Sequence, residues 1–587
     1  MEITKDVGYS KISGKKLFFR LLKFTKPYKH IVILAILFNI LLSAITPLRP
    51  YLSKIAVDDY ILKNNFNGLL IISLIILVSI FINALFQYLL SYITQLLGQK
   101  IVYNIRTLIF SHLQKLRTVN FDKTPVGRMV TRVTNDVESL NELFSAGIIQ
   151  IFSDIFLILW IIAFMLYIDV NLTLISLSVI PLIMIASFIF KKKAREAFSN
   201  VRLHLGRLNT FAQEHFSGIL VIKSFNKYQD ISNKFKEINK DHTKANIDSI
   251  FYYAVFFPFV EFLGAILISL ILWYSYYELL SAKLTLGTLF AFVQLTEMFF
   301  RPIRELSEKY NILQTAIASS ERIFMLLDNN DTEQTITQVN SSKPYFNTIE
   351  FRNVWFAYEN ENWILKNVSF TVNKGEIVAI VGHTGAGKST IINLLLRFYD
   401  IQKGDILIDG KSIYEYDLQD LRTYISIVLQ DVQLFTSTIY DNISLGKDIN
   451  IEDIKILAKE LGLYEVFHNF ENILFDNLEE KGSTLSLGQK QLITFVRALA
   501  HKPKLLLLDE ATSNIDSNTE IIIQKAMDKL FHKQTSIVIA HRLSTIKKST
   551  KIIVLHKGEV KEIGTHKDLI LKKGLYYKLY MLQFSSK

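Results

Sequence analysis

The sequence predicts an α-helical membrane domain of six transmembrane helices that extend into the cytoplasm, followed by an α/β domain. Three observations predict it. Six long apolar stretches lie within the first 320 residues, and none of comparable length follows. From about residue 348 onward, short β-like runs alternate with helical runs, the pattern of a largely parallel sheet. The mean hydropathy is +0.26 although 20% of residues are charged, so a very apolar half is averaged with an ordinary polar one.

The N-terminal segment ends in a basic amphipathic stretch, KKLFFRLLKFTKPYKH. It reads as an interfacial helix leading into the first span. A secretory signal is not expected, because the segment lacks a short apolar region followed by a cleavage site. The apolar runs then cover His30–Tyr51, Leu69–Leu97, Ile148–Ile168, Leu172–Phe190, Phe251–Tyr277 and a stretch beginning near Leu284. Each approaches or exceeds the roughly 20 residues that cross a hydrocarbon core. Between Leu69 and Arg117 there is no proline and only Gly98, so the second helix should be much longer than a membrane is thick. Pro47, Pro50, Pro181, Pro258 and Pro302 are expected to kink or end spans where neighbouring helices compensate.

The short connections carry only Lys63 and Lys283 as positive charges, whereas Gln99–Asn141 and Lys191–Ser249 are rich in Lys and Arg. The positive-inside rule therefore places both termini in the cytoplasm. These segments hold much of the formal net charge of +12 and should face anionic lipid. No nucleic-acid recognition motif accompanies that charge, and no nucleic-acid partner is expected. The absence of Cys excludes disulfides, thiolate metal sites and a cysteine nucleophile. Asp154, Glu261, Glu297 and Arg301 lie in or near apolar runs, where a mid-bilayer charge costs at least ~2.5–3.5 kcal/mol. Such residues face a cavity, a partner or the membrane edge. The expected domains are 1–320 (membrane), 321–347 (polar linker) and 348–587 (α/β).

Gly382–Thr390 reads GHTGAGKST, a full G-x-x-x-x-G-K-[ST] match between an apolar strand and a helical run. Gly382, Gly385 and Gly387 let backbone N–H groups turn toward phosphates. Lys388 can reach the β- and γ-phosphates, Thr390 closes the motif, and Ser389 can bind Mg²⁺. Leu505–Glu510, LLLLDE, is an apolar strand ending in two carboxylates. Asp509 would hold the Mg²⁺ shell, and Glu510 could polarise an attacking water. Together these groups suit Mg²⁺-assisted attack of water on a nucleotide phosphate.

Between these motifs lies LSLGQKQ, Leu485–Gln491. It resembles the LSGGQ signature of ATP-binding-cassette (ABC) ATPases. Gln430 matches the family's Q-loop and implies a further Mg²⁺ contact. Asp516 matches its D-loop, His541 its H-loop, and Tyr358 sits at its adenine-stacking aromatic. Phe121–Val137 and Gln213–Phe225 resemble the intracellular loops of type IV ABC exporters, whose short coupling helices dock on the ATPase domain. Nearly the whole chain is covered by the resemblance.

The resemblance implies a half-transporter. Two cassettes meet head to tail, so Ser486, Leu487, Gly488 and Gln489 would face an ATP held by the partner. Glu510, His541 and Gln430 would support hydrolysis and its coupling to the spans. One residue departs from the family pattern: Leu487 stands where a glycine is usual, at a place of close backbone approach to phosphate. In heterodimeric exporters of the family, one subunit keeps the catalytic Glu and has an altered signature, and its partner has the reverse. The chain fits the first type. The implied partner is a second half-transporter with an intact signature and no catalytic Glu. The implied function is export or flipping of hydrophobic or amphipathic compounds, drugs or lipids, across a bacterial cytoplasmic membrane. The alternatives are tolerated variation in a homodimeric lipid flippase and a nucleotide-gated channel. An exporter with a built-in cysteine peptidase is not expected.

Overall fold

The computed structural model describes residues 14–281, 283–333, 343–467, 469–479, 482–509, 517–540 and 543–584. The chain divides into two compact units. One comprises Met1–Gln114 and Val126–Asn329, the other Lys115–Pro125 and Asn330–Lys587.

The first unit is helical. Among the described residues, five helical segments are long and apolar enough to cross a membrane. They are Lys16–Ile61, Phe66–Lys115, Val126–Ile168, Val170–Ser217 and Tyr228–Leu280. The sixth apolar run lies in the helix Leu286–Leu327, 42 residues long. The stretch without proline, Phe66–Lys115, is one helix of 50 residues. At about 1.5 Å per residue it is about 75 Å long, more than twice a hydrocarbon core. Tyr228–Leu280 is similar, at 53 residues. The helix ending at Leu327 also takes in the first residues of the stretch expected to be linker.

Four of the five prolines lie inside continuous helices, namely Pro47, Pro50, Pro258 and Pro302. Pro181 instead opens the helix Ile180–Ser217, where a missing N–H costs nothing. The apolar centre of the unit is built around Ile161, Leu172, Ile271, Phe292 and Leu295, all fully buried. At its edge the Asp58 carboxylate accepts from the Gly287 N–H at 2.8 Å and the Thr285 hydroxyl at 2.6 Å. That pair of bonds ties the end of the first span to the start of the last.

The charged residues of the apolar runs have different fates. Asp154 pairs with Lys309 between two helices, and both side chains are buried. Glu261 and Glu297 are exposed on the single chain and form no ion pair among the described residues. Breaking a buried pair by removing one member leaves an uncompensated charge, at ~3–5 kcal/mol. Asp154→Ala should therefore lower the thermal unfolding midpoint of the purified protein clearly. An unchanged midpoint would show that the pair contributes nothing to the fold.

The second unit holds two sheets. The first is antiparallel, with strands β1 (Thr348–Ala357), β2 (Trp363–Asn373), β4 (Lys403–Ile408) and β5 (Lys411–Ser412) in the order β2-β1-β4-β5. The second contains β3 (Ile377–Val381), β6 (Ile425–Val428), β7 (Leu505–Asp509), β8 (Thr535–Ile539), β9 (Lys551–His556) and β10 (Glu559–Gly564). Its order is β10-β9-β3-β8-β7-β6, parallel except at β10. The runs TIEFRNVWFAY, GEIVAIVG, KLLLLDEA, TSIVIAH and KIIVLHKGEV form β1, β3, β7, β8 and the β9–β10 hairpin.

The near-continuous apolar sequence of β3 and β7 follows from burial on both faces. Val378, Ile380, Leu505 and Leu507 enter the core beneath the antiparallel sheet. Ala379, Val381, Leu506 and Leu508 enter the core on the opposite face, with the helix Leu487–Ala500. One residue of slip in either strand would exchange the two sets.

Candidate functional site

Three neighbouring parallel strands end together. Ile380 of β3 pairs with Ile539 of β8, which also pairs with Asp509 of β7. The loops after these carboxyl ends carry the Gly-rich segment and Asp509, the usual place for a ligand in an open α/β sheet. Glu510, Asp516 and His541 lie outside the described residues, so the site is built from the others.

The Gly-rich loop has a backbone that other residues would strain. Gly387 sits at φ +97°, and a Cβ there would lie 2.6 Å from Leu365 Cδ2. A Cβ on Gly382 would lie 2.3 Å from the Leu555 carbonyl oxygen. Gly385 also has positive φ, at +80°. The helix Lys388–Leu395 starts directly after the loop and aims its N–H groups into it.

Lys388 is buried, and its ammonium donates to the Gly382 and His383 carbonyls at 2.8 and 3.1 Å. Burial pushes its pKa below the ordinary lysine value, and the Asp509 carboxylate opposes that shift. Ser389 Oγ donates to Asp509 Oδ2 at 3.0 Å. A hydroxyl and a carboxylate so close form an oxygen donor pair that suits a hard cation such as Mg²⁺. Tyr358 is 42% exposed, and its ring can take a flat base on its free side. Its hydroxyl is held by Thr390 Oγ1 at 3.2 Å and Asn393 Nδ2 at 3.3 Å. Gln430 is exposed in the loop after β6.

The LSLGQ segment opens the helix Leu487–Ala500 through a capping box. The Gln489 N–H donates to Ser486 Oγ at 3.2 Å, and the Ser486 N–H donates to Gln489 Oε1 at 2.9 Å. Gly488 is buried, whereas Leu487 is 41% exposed in the first turn. The helix end is thus preformed, with a branched apolar side chain standing on it.

Sequence reasoning missed the part played by Tyr399. Its ring meets Tyr358 edge-on at 4.9 Å, and its hydroxyl donates to the Asp122 carboxylate in the short helix Val119–Lys123. Arg117 pairs with Asp400 and lies 3.7 Å from Asp331. Arg422 grips Glu333 through two bonds of 2.8 and 2.9 Å. The tip of the first loop is thereby joined to the residue beside Tyr358. The only sequence signal was the resemblance of Phe121–Val137 to a docking loop. Removing the hydroxyl with Tyr399→Phe keeps the ring and deletes a charge-assisted bond of ~1.5–3 kcal/mol before solvent screening. ATP binding should stay within about twofold of wild type, while substrate stimulation of ATP hydrolysis falls. Unaltered stimulation would remove Tyr399 from the coupling route.

The second loop, Gln213–Phe225, contains the helix Ile219–Ser224. Its Ile219, Leu220 and Val221 are 41%, 77% and 62% exposed, apolar side chains left uncovered among the described residues.

Residues 32–303 match the family model "ABC transporter transmembrane region", and residues 365–513 match "ABC transporter". The chain is 33% identical to an "ATP-dependent lipid A-core flippase" of Syntrophus aciditrophicus, over 97% of this chain and 94% of that protein. The chain belongs to the ABC transporter family. The transporter is also 37% identical to the "Probable multidrug resistance ABC transporter ATP-binding/permease protein YheH" of Bacillus subtilis, across 86% of its own length and 75% of the relative's. Its fold is similar to that of a bacterial Atm1-family ABC exporter solved with ATP bound, with TM-score 0.76, 27% identity, and 95% and 98% of the two chains covered.

The transporter is an ABC exporter with a helical transmembrane domain and an α/β cassette in one chain. It is an integral membrane protein whose cassette binds ATP and couples ATP hydrolysis to transport. Half-transporters of this kind work as dimers.

Proposed function

We propose that the transporter exports or flips hydrophobic or amphipathic compounds as one half of a heterodimer, in which only one of two ATP sites turns over quickly. The observation that carries this reading is Leu487, exposed on the first turn of the signature helix where the family keeps glycine. A branched side chain there holds the helix N-terminus away from a phosphate on the partner cassette.

In this reading, residues 1–320 form the membrane domain, 321–347 the linker and 348–587 the cassette. Tyr358 stacks the adenine of ATP, and Gly382, Gly385, Gly387, Lys388 and Thr390 cradle its phosphates. Ser389, Asp509 and Gln430 hold Mg²⁺. Glu510 and His541 promote attack by water, and Asp516 lies at the dimer contact. Ser486, Gly488 and Gln489 face the partner's ATP. The competent site pairs Lys388, Asp509, Glu510 and His541 with the partner's intact signature. The other site, built on Leu487, binds ATP and turns over slowly. Both termini and the cassette lie in the cytoplasm of a bacterium, and the spans cross its inner membrane. The likeness to lipid A-core flippases supports a second reading, a homodimeric lipid flippase.

Inside-out vesicles carrying this chain and an intact-signature partner test the export reading. ATP should drive accumulation of a hydrophobic dye above its equilibrium level. Dye that only equilibrates in the presence of ATP would indicate a channel and contradict the proposal.

A further inference from the structure

A second cavity lies at the other end of the parallel sheet. Gly382, Asp509 and Ile539 mark the carboxyl ends of β3, β7 and β8. The cavity is lined instead by residues at or just before their amino ends, among them Gly375, Lys504 and Thr535. Its volume is about 790 Å³, within the ~300–1,000 Å³ range of small-molecule sites. One wall is a face of the helix Ile451–Glu460, whose Asp453, Ile456, Leu457 and Glu460 follow helical spacing. Another is Tyr345 in the segment before β1. Tyr345 and Ile456 are 65% and 56% exposed, so two apolar surfaces line the cavity without being covered.

The polar groups are not balanced among themselves. Lys502 is neutralised by Asp453 at 3.0 Å. The Lys504 ammonium donates to the Pro344 carbonyl at 3.0 Å and sits over the rings of Tyr424 and Tyr345, at 4.3 and 5.0 Å. It has no carboxylate partner among the described residues, and neither has Lys374. Glu460 is the remaining acid of the lining, and its own carbonyl accepts from Lys529. Gln534 Oε1 is shut off from solvent and accepts no hydrogen bond among the described residues. A buried acceptor left in that state costs ~1–3 kcal/mol.

We propose that this cavity binds a small flat apolar anion, such as an aromatic acid. Its ring would lie against Tyr345 and Ile456, and its acid group would meet Lys374 and Lys504. The site is separate from the nucleotide site and stands whether the transporter pairs with itself or with another chain. It also touches Leu499 and Ala500, the far end of the helix that begins at the signature. An occupant therefore contacts the element that presents Leu487 to the partner cassette.

The test uses 6-hydroxy-2-naphthoate as probe and the full chain in lipid nanodiscs, with empty nanodiscs as the blank. Binding is followed by saturation-transfer NMR and titration, with and without saturating non-hydrolysable ATP analogue. The probe should bind in both cases, and Ile456→Glu, at an exposed position that the fold tolerates, should weaken it at least about tenfold. Lys504→Gln should weaken it as well. Displacement by the nucleotide analogue, equal affinity in Ile456→Glu, or no signal above empty nanodiscs would each overturn the proposal.

Discussion

Replacing Glu510 with Gln should lower ATP hydrolysis about a hundredfold or more while leaving ATP binding intact. In the sequence Glu510 follows Asp509, the last residue of β7 and one of the groups proposed to hold Mg²⁺. The amide keeps the size and polarity of the side chain and loses only the ability to take a proton from water. In the proposed site, nucleotide affinity rests on other groups, namely the Tyr358 ring, the loop N–H groups and Lys388. The check is a pair of measurements on one preparation, nucleotide binding by fluorescent ATP analogue and phosphate release. Near-normal phosphate release would remove Glu510 from the catalytic role.

The second large effect concerns Leu487. In the single chain, Leu487→Gly should raise steady-state ATP hydrolysis at least about tenfold. A homodimer of this chain would present Leu487 at both sites, so both would be impaired. Glycine removes the branched side chain from the first helical turn and lets the preformed N-terminus approach the phosphate. The capping box of Ser486 and Gln489 is unaffected, because neither bond uses the side chain at 487. Glycine within the first turn costs ~0.5–1 kcal/mol of helix stability, too little to unfold the cassette. If the rate stays where it was, Leu487 is tolerated variation and the homodimeric reading gains.

The parts of the fold legible in the sequence were those where burial acts on every residue of an element. Strands β3, β7, β8 and β9 have apolar centres because both faces are covered, and each was visible as a run. The long helix Phe66–Lys115 was visible because proline is absent from it and, beyond Leu69, Gly98 alone interrupts its pattern. Strand β2, half-exposed along its length, and the short β5 and β6 gave no comparable signal. Pro47, Pro50, Pro258 and Pro302 sit within helices that continue through them, so none of these four ends its helix.

The candidate nucleotide site was legible through Gly382, Gly387, Lys388 and Asp509, where chemistry restricts each position to one or two residue types. The link from Tyr358 through Tyr399 to Asp122 was not. It joins residues far apart in the chain, and a tyrosine or an aspartate on a surface has many ordinary uses. The partner of Asp154 was hidden for the same reason. Lys309 follows it by more than 150 residues, and a lysine beyond a span reads as a membrane-edge charge.

The central claim is that this chain supplies half of an asymmetric machine. ATP hydrolysis by the purified chain, alone and in complex with a half-transporter that has an LSGGQ signature and lacks the catalytic Glu, tests it most directly. Hydrolysis should be slow with the chain alone, at least about tenfold faster in the mixed complex, and should lose that gain with Lys388→Ala in this chain. A stable homodimer whose two equivalent sites match the mixed complex in rate would contradict it.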